Sequence, residues 1–141
     1  MQTLALIKPH IAKNKNVSGQ VIQAVLTRGF TIHRRREFTL TKEQAEAFYA
    51  EHAGRPYFEP LILSITSGPL IALTLEHETH PEQTITLWRT AMGATDSSKA
   101  EPGTLRYTFG NPHIVRENAV HGSDSETNAQ REIALIFGDN T

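Results

Sequence analysis

The sequence predicts an α+β sandwich, a four-stranded antiparallel sheet covered by helices, with its elements in the order βαββαβ. Compact apolar runs at residues 3–7 and 70–75 read as buried strands. Apolar residues recur at helical spacing in two other stretches, 17–26 and 81–92. Two additional helical pieces accompany them, and this order favours a sandwich over a parallel doubly wound sheet.

The first strand, Thr3-Leu-Ala-Leu-Ile7, runs straight into Lys8-Pro9. Val17, Val21, Ile22, Val25 and Leu26 define the first helix, and Arg28-Gly29 supplies its stop. Residues 31–40 form a second strand. Its Ile32, Phe38 and Leu40 share a face with Arg34 and Arg36, a mixture expected at a sheet edge or an interface. Thr41 and Gln44 have capping-box spacing and open a helix that turns Ala45, Phe48 and Tyr49 inward. Gly54-Arg55-Pro56 breaks it, and 57–65 is a short helical segment. Ser67-Gly68-Pro69 turns the chain into a central strand, Leu70 to Leu75. Pro81 suits the first position of a helix whose Ile85, Trp88 and Met92 lie on one stripe. From Gly93 to Val115 periodicity fails, and a loop that long in a compact domain is expected to be functional or disordered. Asn118-Ala-Val-His121 is a fourth strand, and Ser123 or Asp124 caps a last helix that carries Ala129 and Ile133 inward. The result is a ferredoxin-like arrangement in a single domain, 1–141, without internal repeat or low-complexity tract.

A chain of 141 residues with 38% hydrophobic and 21% charged content is that of one globular domain, able to bury roughly two-thirds of its unfolded surface. Its net charge of −1 creates no global field for nucleic acid or an anionic membrane, so a bound anion must be held by a local cluster of cations. Without cysteine, disulfides, thiolate metal sites and cysteine nucleophiles are excluded. No apolar run has membrane-spanning length. The N-terminal stretch is short and lacks a basic leader, so it reads as a strand and not as a secretory signal. The expected compartment is the cytoplasm.

The familiar nucleotide-binding motifs are missing: there is no G-x-x-x-x-G-K-[ST], no G-x-G-x-x-G, and no H-R-D paired with D-F-G. The richest stretch is Asn118-Ala-Val-His-Gly-Ser-Asp-Ser125. A histidine at a strand end, followed by glycine and capping residues, stands exposed beside a helix N-terminus that favours anions. Imidazole is a competent nucleophile toward phosphorus. For an isolated histidine a solvated turn would be the better account, and it is the expectation for the other six. His77-Glu-Thr-His80 lacks the i, i+4 spacing of H-E-x-x-H, runs into Pro81, and reads as a loop.

The motif Asn-x-x-His-Gly-Ser-Asp resembles, residue for residue, the signature of nucleoside diphosphate kinases. The resemblance extends through Ala-Leu-Ile-Lys-Pro, Phe-Tyr-Ala-Glu-His, Gly-Arg-Pro-Tyr-Phe, Thr-Ser-Gly-Pro, Met-Gly-Ala-Thr, Pro-Gly-Thr-Leu-Arg and Arg-Glu-Ile-Ala, and so over nearly the whole chain. It implies a reversible ping-pong reaction in which a nucleoside triphosphate phosphorylates His121 and a diphosphate then takes the phosphoryl group. Lys8, Arg89 and Arg106 match the family's phosphate cations, and Thr95 a phosphate hydrogen-bond donor. Glu132 matches the carboxylate that holds the histidine ring, with Ser123 beside it on the same helix, and Tyr49 matches a tyrosine near the histidine. Asn118 matches a side chain that bonds the sugar. Tyr57, where the family usually has Phe, would stack on the base with Leu61, and Val115 would face it. The resemblance also implies ATP and other nucleoside di- and triphosphates as partners, magnesium as the nucleotide complex with Asp124 reaching it through water, and an assembly of identical chains.

Several positions depart from the family pattern. Asp96-Ser97 stands where Asn-Pro is usual, in a loop linked to oligomer contacts. Lys8-Pro9-His10 replaces Lys-Pro-Asp, which removes a carboxylate near the site. The segment between Arg106 and His121 is two residues longer than usual, and the chain ends early at Thr141, so contacts of the family's tail are expected to be missing. A competing reading from another class is a weakly active scaffold of the same fold that binds nucleotides or proteins. Retention of His121, Lys8, Arg89 and Arg106 favours the enzyme.

Overall fold

The computed structural model describes residues 1–138, so the early end at Thr141 lies outside the described residues. Strand β1 (Thr3–Ile7) is apolar at four of its five positions and buried at all of them. The sheet order is β2-β3-β1-β4, with β2 at Phe30–Phe38, β3 at Leu70–His77 and β4 at Val120–Gly122. Every neighbouring pair is antiparallel, which is the ferredoxin-like arrangement.

The two faces of the sheet are covered by different helices. Ala5, Ile7, Ile71 and Leu73 face a layer that includes Val21, Val25, Trp88 and Met92. These come from α2 (Lys15–Thr27), which Asn14 caps through its side chain, and from α5 (Thr84–Met92). A single turn, α1 (Pro9–Ala12), precedes α2. Leu4, Leu6, Leu70 and Ala72 face the other way, onto Phe48, Ile62, Ile65 and Ile136. That layer is built from α3 (Lys42–Phe48), which opens with the expected Thr41/Gln44 capping box, α4 (Phe58–Ile65) and α7 (Glu126–Phe137). The alternation of strand side chains therefore serves both layers, as a sheet with two covered faces requires.

The structure corrects several local expectations. In β2 the register slips between Ile32 and Arg34, so that His33 is the extra residue of a bulge. Ile32 consequently packs into the α2/α5 layer, while Phe38 and Leu40 belong to the other. The arginines that share the second face cover the end of α7: Arg34 lies over the Phe137 ring at 4.8 Å, and Arg36 donates to the Ile136 carbonyl at 2.5 Å. Cations are favourable there because the last carbonyls of a helix are unpaired and negative. Pro81 opens a 3₁₀ turn, Pro81–Gln83, and α5 follows it.

Residues 93–115 are not a featureless loop. They contain a 3₁₀ turn at Ser97–Lys99 and a five-residue helix, α6 (Leu105–Phe109), capped by Thr104. Gly93 ends α5 with φ of 87° and approaches Thr104 so closely that a Cβ would lie 2.6 Å from its hydroxyl. The fourth strand is shorter than expected, beginning at Val120. The cap of α7 is Ser125, whose hydroxyl accepts from the Asn128 amide at 3.1 Å, and neither Ser123 nor Asp124 fills that position. No helix among the described residues is long and apolar enough to cross a membrane.

Candidate active site

β4 pairs with β1 so that His121 lies opposite Leu6, and both therefore point toward the layer of α3 and α7. Gly122 permits this. A Cβ there would come within 2.5 Å of Trp88 and 2.6 Å of Met92, so only glycine lets α5 pack onto β4. Trp88 in turn donates its indole N–H to the His121 carbonyl at 3.3 Å. The backbone of the histidine is thus pinned from behind while its ring faces a cleft of about 800 Å³.

The ring is also held from the side. His121 Nε2 lies 2.9 Å from Glu132 Oε1, and the Ser123 hydroxyl donates to the same oxygen at 2.8 Å. The Leu4 amide donates to Ser123 Oγ at 3.3 Å, which extends the chain of bonds into β1. An ionised carboxylate only accepts, so Nε2 carries the proton of this bond and the lone pair resides on Nδ1. Glu132 is only 4% exposed and Ser123 is fully buried. Ser123 thus lies behind the histidine, in the turn before α7 and not on the helix as expected, and bonds the same Glu132 oxygen that faces the ring. Phe48, which sequence reasoning assigned only to the core, places its ring edge-on to His121 at 5.0 Å, and Tyr49 does so at 6.5 Å.

Around His121 the cleft is lined by Lys8, Arg89, Thr95, Arg106 and Asn118, together with Tyr49 and Glu132. Lys8 is 6% exposed. Burial, and then the neighbouring Arg106 charge, pulls its amine down from 10.5 to about 7. Arg106 is buried as well, and desolvation followed by the charge of Arg89 lowers it to about 10. Its guanidinium donates to the carbonyls of Gly93 at 3.0 Å and Val120 at 2.9 Å, which fixes it against β4. Arg89 is exposed, lines the cleft beside Arg106, and continues with it into a smaller hollow that also takes in Thr95 and Asp124. Positive charges crowded into a partly dry cleft repel each other and are relieved by a polyanion.

Three buried polar atoms in this wall have no hydrogen-bond partner: Tyr49 Oη, Arg106 Nε and Asn118 Oδ1. Burial of such groups is costly unless a ligand or solvent completes them. The Tyr49 hydroxyl is pushed above its ordinary range by burial and then by the Glu132 charge, so it remains a donor. Asn118 is oriented by its amide, which donates to the Thr95 carbonyl at 2.9 Å.

Tyr57 and Val115 stand at the mouth, 49% and 50% exposed, and Leu61 lines the same cleft. The Tyr57 hydroxyl meets His52 Nδ1 at 2.7 Å, a contact that a phenylalanine could not make. The lengthened segment contributes His113, Ile114 and Arg116 to the same rim, none of which the sequence singled out. Asp124 is exposed at the edge, its carboxyl held below the usual range chiefly by the bond from Asn128 at 2.6 Å. Among the described residues no cluster of three His, Asp or Glu is arranged to hold a metal ion. His77 instead accepts from the Thr79 and His80 amides at 3.3 and 3.1 Å, as a loop residue. Every residue expected to touch nucleotide lines this one cleft.

A family model described as nucleoside diphosphate kinase matches residues 1–141. The nucleoside diphosphate kinase of Glaesserella parasuis is 44% identical over 136 residues, 96% of this chain and 94% of that protein. Among solved structures, the nucleoside diphosphate kinase of Aquifex aeolicus superposes with a TM-score of 0.86 at 37% identity, covering 96% of this chain and 94% of that one. The halophilic nucleoside diphosphate kinase from Halobacterium salinarum in complex with CDP gives 0.88 at 34% identity, covering 99% and 89%.

Proposed function

We propose that this chain, which belongs to the nucleoside diphosphate kinase family, carries a phosphoryl group from nucleoside triphosphates to nucleoside diphosphates on His121 Nδ1. The observation that carries the proposal is the bond from His121 Nε2 to Glu132 at 2.9 Å, which leaves Nδ1 as the free lone pair on the floor of a cationic cleft. Nδ1 attacks the γ-phosphorus, the bond to the bridging oxygen breaks, and the diphosphate leaves with that oxygen. A second diphosphate then attacks the same phosphorus, the P–N bond breaks, and the neutral ring is restored. Developing charge on the imidazole is met by Glu132, whose position is set by Ser123.

Phosphoryl transfer asks a protein mainly for positioning and positive charge. Lys8, Arg89 and Arg106 supply the charge, while Thr95 and Tyr49 supply hydroxyl donors. Asn118 has an unpaired carbonyl oxygen suited to a sugar hydroxyl. Tyr57, Leu61 and Val115 offer a stacking slot at the mouth that is largely indifferent to base identity, and the CDP complex of the Halobacterium salinarum relative supports a nucleotide in this fold. Magnesium belongs to the substrate, entering as the nucleotide complex with several waters retained, and Asp124 at the rim reaches it only through water. The same proposal places the protein in the cytoplasm as a single domain within an assembly of identical chains.

Incubation with γ-labelled ATP should label the protein, and a chase with unlabelled GDP should remove the label as GTP. The label should be stable to alkali and labile to acid, as a P–N bond is. In His121→Ala it should be absent from a folded protein. Labelling that persists in that variant would remove His121 as the nucleophile.

A further inference from the structure

The peptide that delivers His121 is strained. Ala119 has φ of 76°, alone among the described non-glycine residues in being positive, and the Val120 amide donates to the Asn118 carbonyl at 2.9 Å. Asn118–Val120 is therefore a γ-turn of the unfavourable hand, a conformation that persists only where its surroundings hold it. Two bonds from the start of α1 do so. The Lys8 amide donates to the Ala119 carbonyl at 2.9 Å, and the Ala119 amide donates to His10 Nε2 at 3.2 Å.

We infer that His10 is a positioning residue: by accepting from the Ala119 amide it clamps the turn that sets Asn118 and His121 in register, and it does so only while its ring is neutral. A protonated imidazole has two donors and no acceptor, so acid would oppose one N–H to another and free the turn. The charges acting on the ring are Lys8 and Lys13 from its own end of the chain and Glu117 from the facing segment, where Arg116 borders the same hollow. Helix α2 and strand β3, which also pack on α1, add none. Burial first, and then Lys8, lower the ring below its ordinary range, so the clamp is closed near neutrality and opens in acid. His10 stands where the resemblance leads one to expect aspartate, whose carboxylate would keep accepting into stronger acid. Acid release is thus a property of this chain's own residue.

The reading of His10 rests on the kinase proposal only for its nucleotide readout. Trp88, the single tryptophan, bonds the His121 carbonyl and reports on β4 in nucleotide-free protein. The test compares wild type with His10→Gln, whose amide oxygen accepts near the Nε2 position at any pH, and with His10→Leu, which has no acceptor. Emission and ADP affinity are followed from about pH 7.5 to about pH 4.5, across the histidine range. Wild type should show an acid transition in emission, with a parallel loss of ADP affinity. His10→Gln should move the emission midpoint down by about one pH unit or more and spare about five-fold or more of the affinity lost by wild type. His10→Leu should show the acid emission already at neutral pH. If His10→Leu does not fold, the comparison of wild type with His10→Gln decides alone. An unchanged midpoint in His10→Gln overturns the inference. Failure of ADP to bind any of the proteins would count against the kinase reading, while the emission comparison would still decide on His10.

Discussion

Replacing Lys8 with methionine should make the protein more stable while it ceases to work. The amine is buried and held at about 7, against an ordinary 10.5. At about 1.4 kcal/mol per tenfold, this difference sets a ceiling of about 5 kcal/mol on what the fold forgoes to keep a charge there. At pH near 7.5 part of that cost is met by deprotonation, and the bond from Nζ to the Arg116 carbonyl at 3.3 Å returns some of the rest. Methionine has similar length, needs no solvation and loses that bond, so a gain of about 1–3 kcal/mol is expected. The pH dependence provides an independent check of sign. Between about 7 and 10.5 the unfolded chain keeps the Lys8 proton and the folded chain does not, so wild-type stability rises with pH through this window. The methionine variant should lack that rise. Urea unfolding of both proteins at one concentration, at steps from about pH 6.5 to about pH 9.5, measures the slope while stopping short of the tyrosine range. Phosphoryl transfer should fall by about a hundredfold or more in the same variant, since charge-assisted contacts to phosphate are lost. A variant less stable than wild type, or one with the same slope, would refute the idea that Lys8 is a charge kept for function against the interest of the fold.

Ser97→Pro should stabilise by about 0.4–1 kcal/mol, because Asp96 is already extended (φ −83°, ψ 112°) and the buried Ser97 hydroxyl has no partner to lose. Thermal midpoints at two protein concentrations check it, and a lower midpoint would mean that the ring does not fit against Gly110. Gly122→Ala should cost about 1–3 kcal/mol by overpacking, since its Cβ would lie 2.5 Å from Trp88, and turnover should fall with the displaced β4; chemical denaturation and steady-state rates would show whether both move together. Specificity constants for ADP, GDP, CDP and UDP should lie within about a thousandfold of one another, about 4 kcal/mol, because the slot offers stacking faces; a wider spread would point to a polar base contact from His113 or Arg116.

Much of this protein was legible in its sequence because the relevant signals are local. The apolar runs of β1 and β3, the helical spacing of Val21 and Val25, and the Thr41/Gln44 box each act within a few residues, and each formed, with β3 running two residues further than read, to His77. Candidate site residues could be named because the motif and its matched blocks keep their order along the chain, and those expected to touch nucleotide line one cleft. Tertiary structure decided what depends on distant partners. Nothing local in the sequence marks Glu132 as buried, and it is dry where α7 packs on β1, with Ser123 bonded to both. The bulge at His33 inverted the facing of Ile32, since one extra residue reverses side-chain parity and no composition signal marks it. Helix α6 is five residues long, too short for a period to appear. The clamp of His10 on Ala119 joins residues 109 positions apart. Sequence therefore determined which groups could do phosphate chemistry, through residue type and spacing. The tertiary structure decided which of them are dry, which nitrogen of His121 is free, and what holds it there, because burial and hydrogen bonding belong to the packed chain and not to its segments.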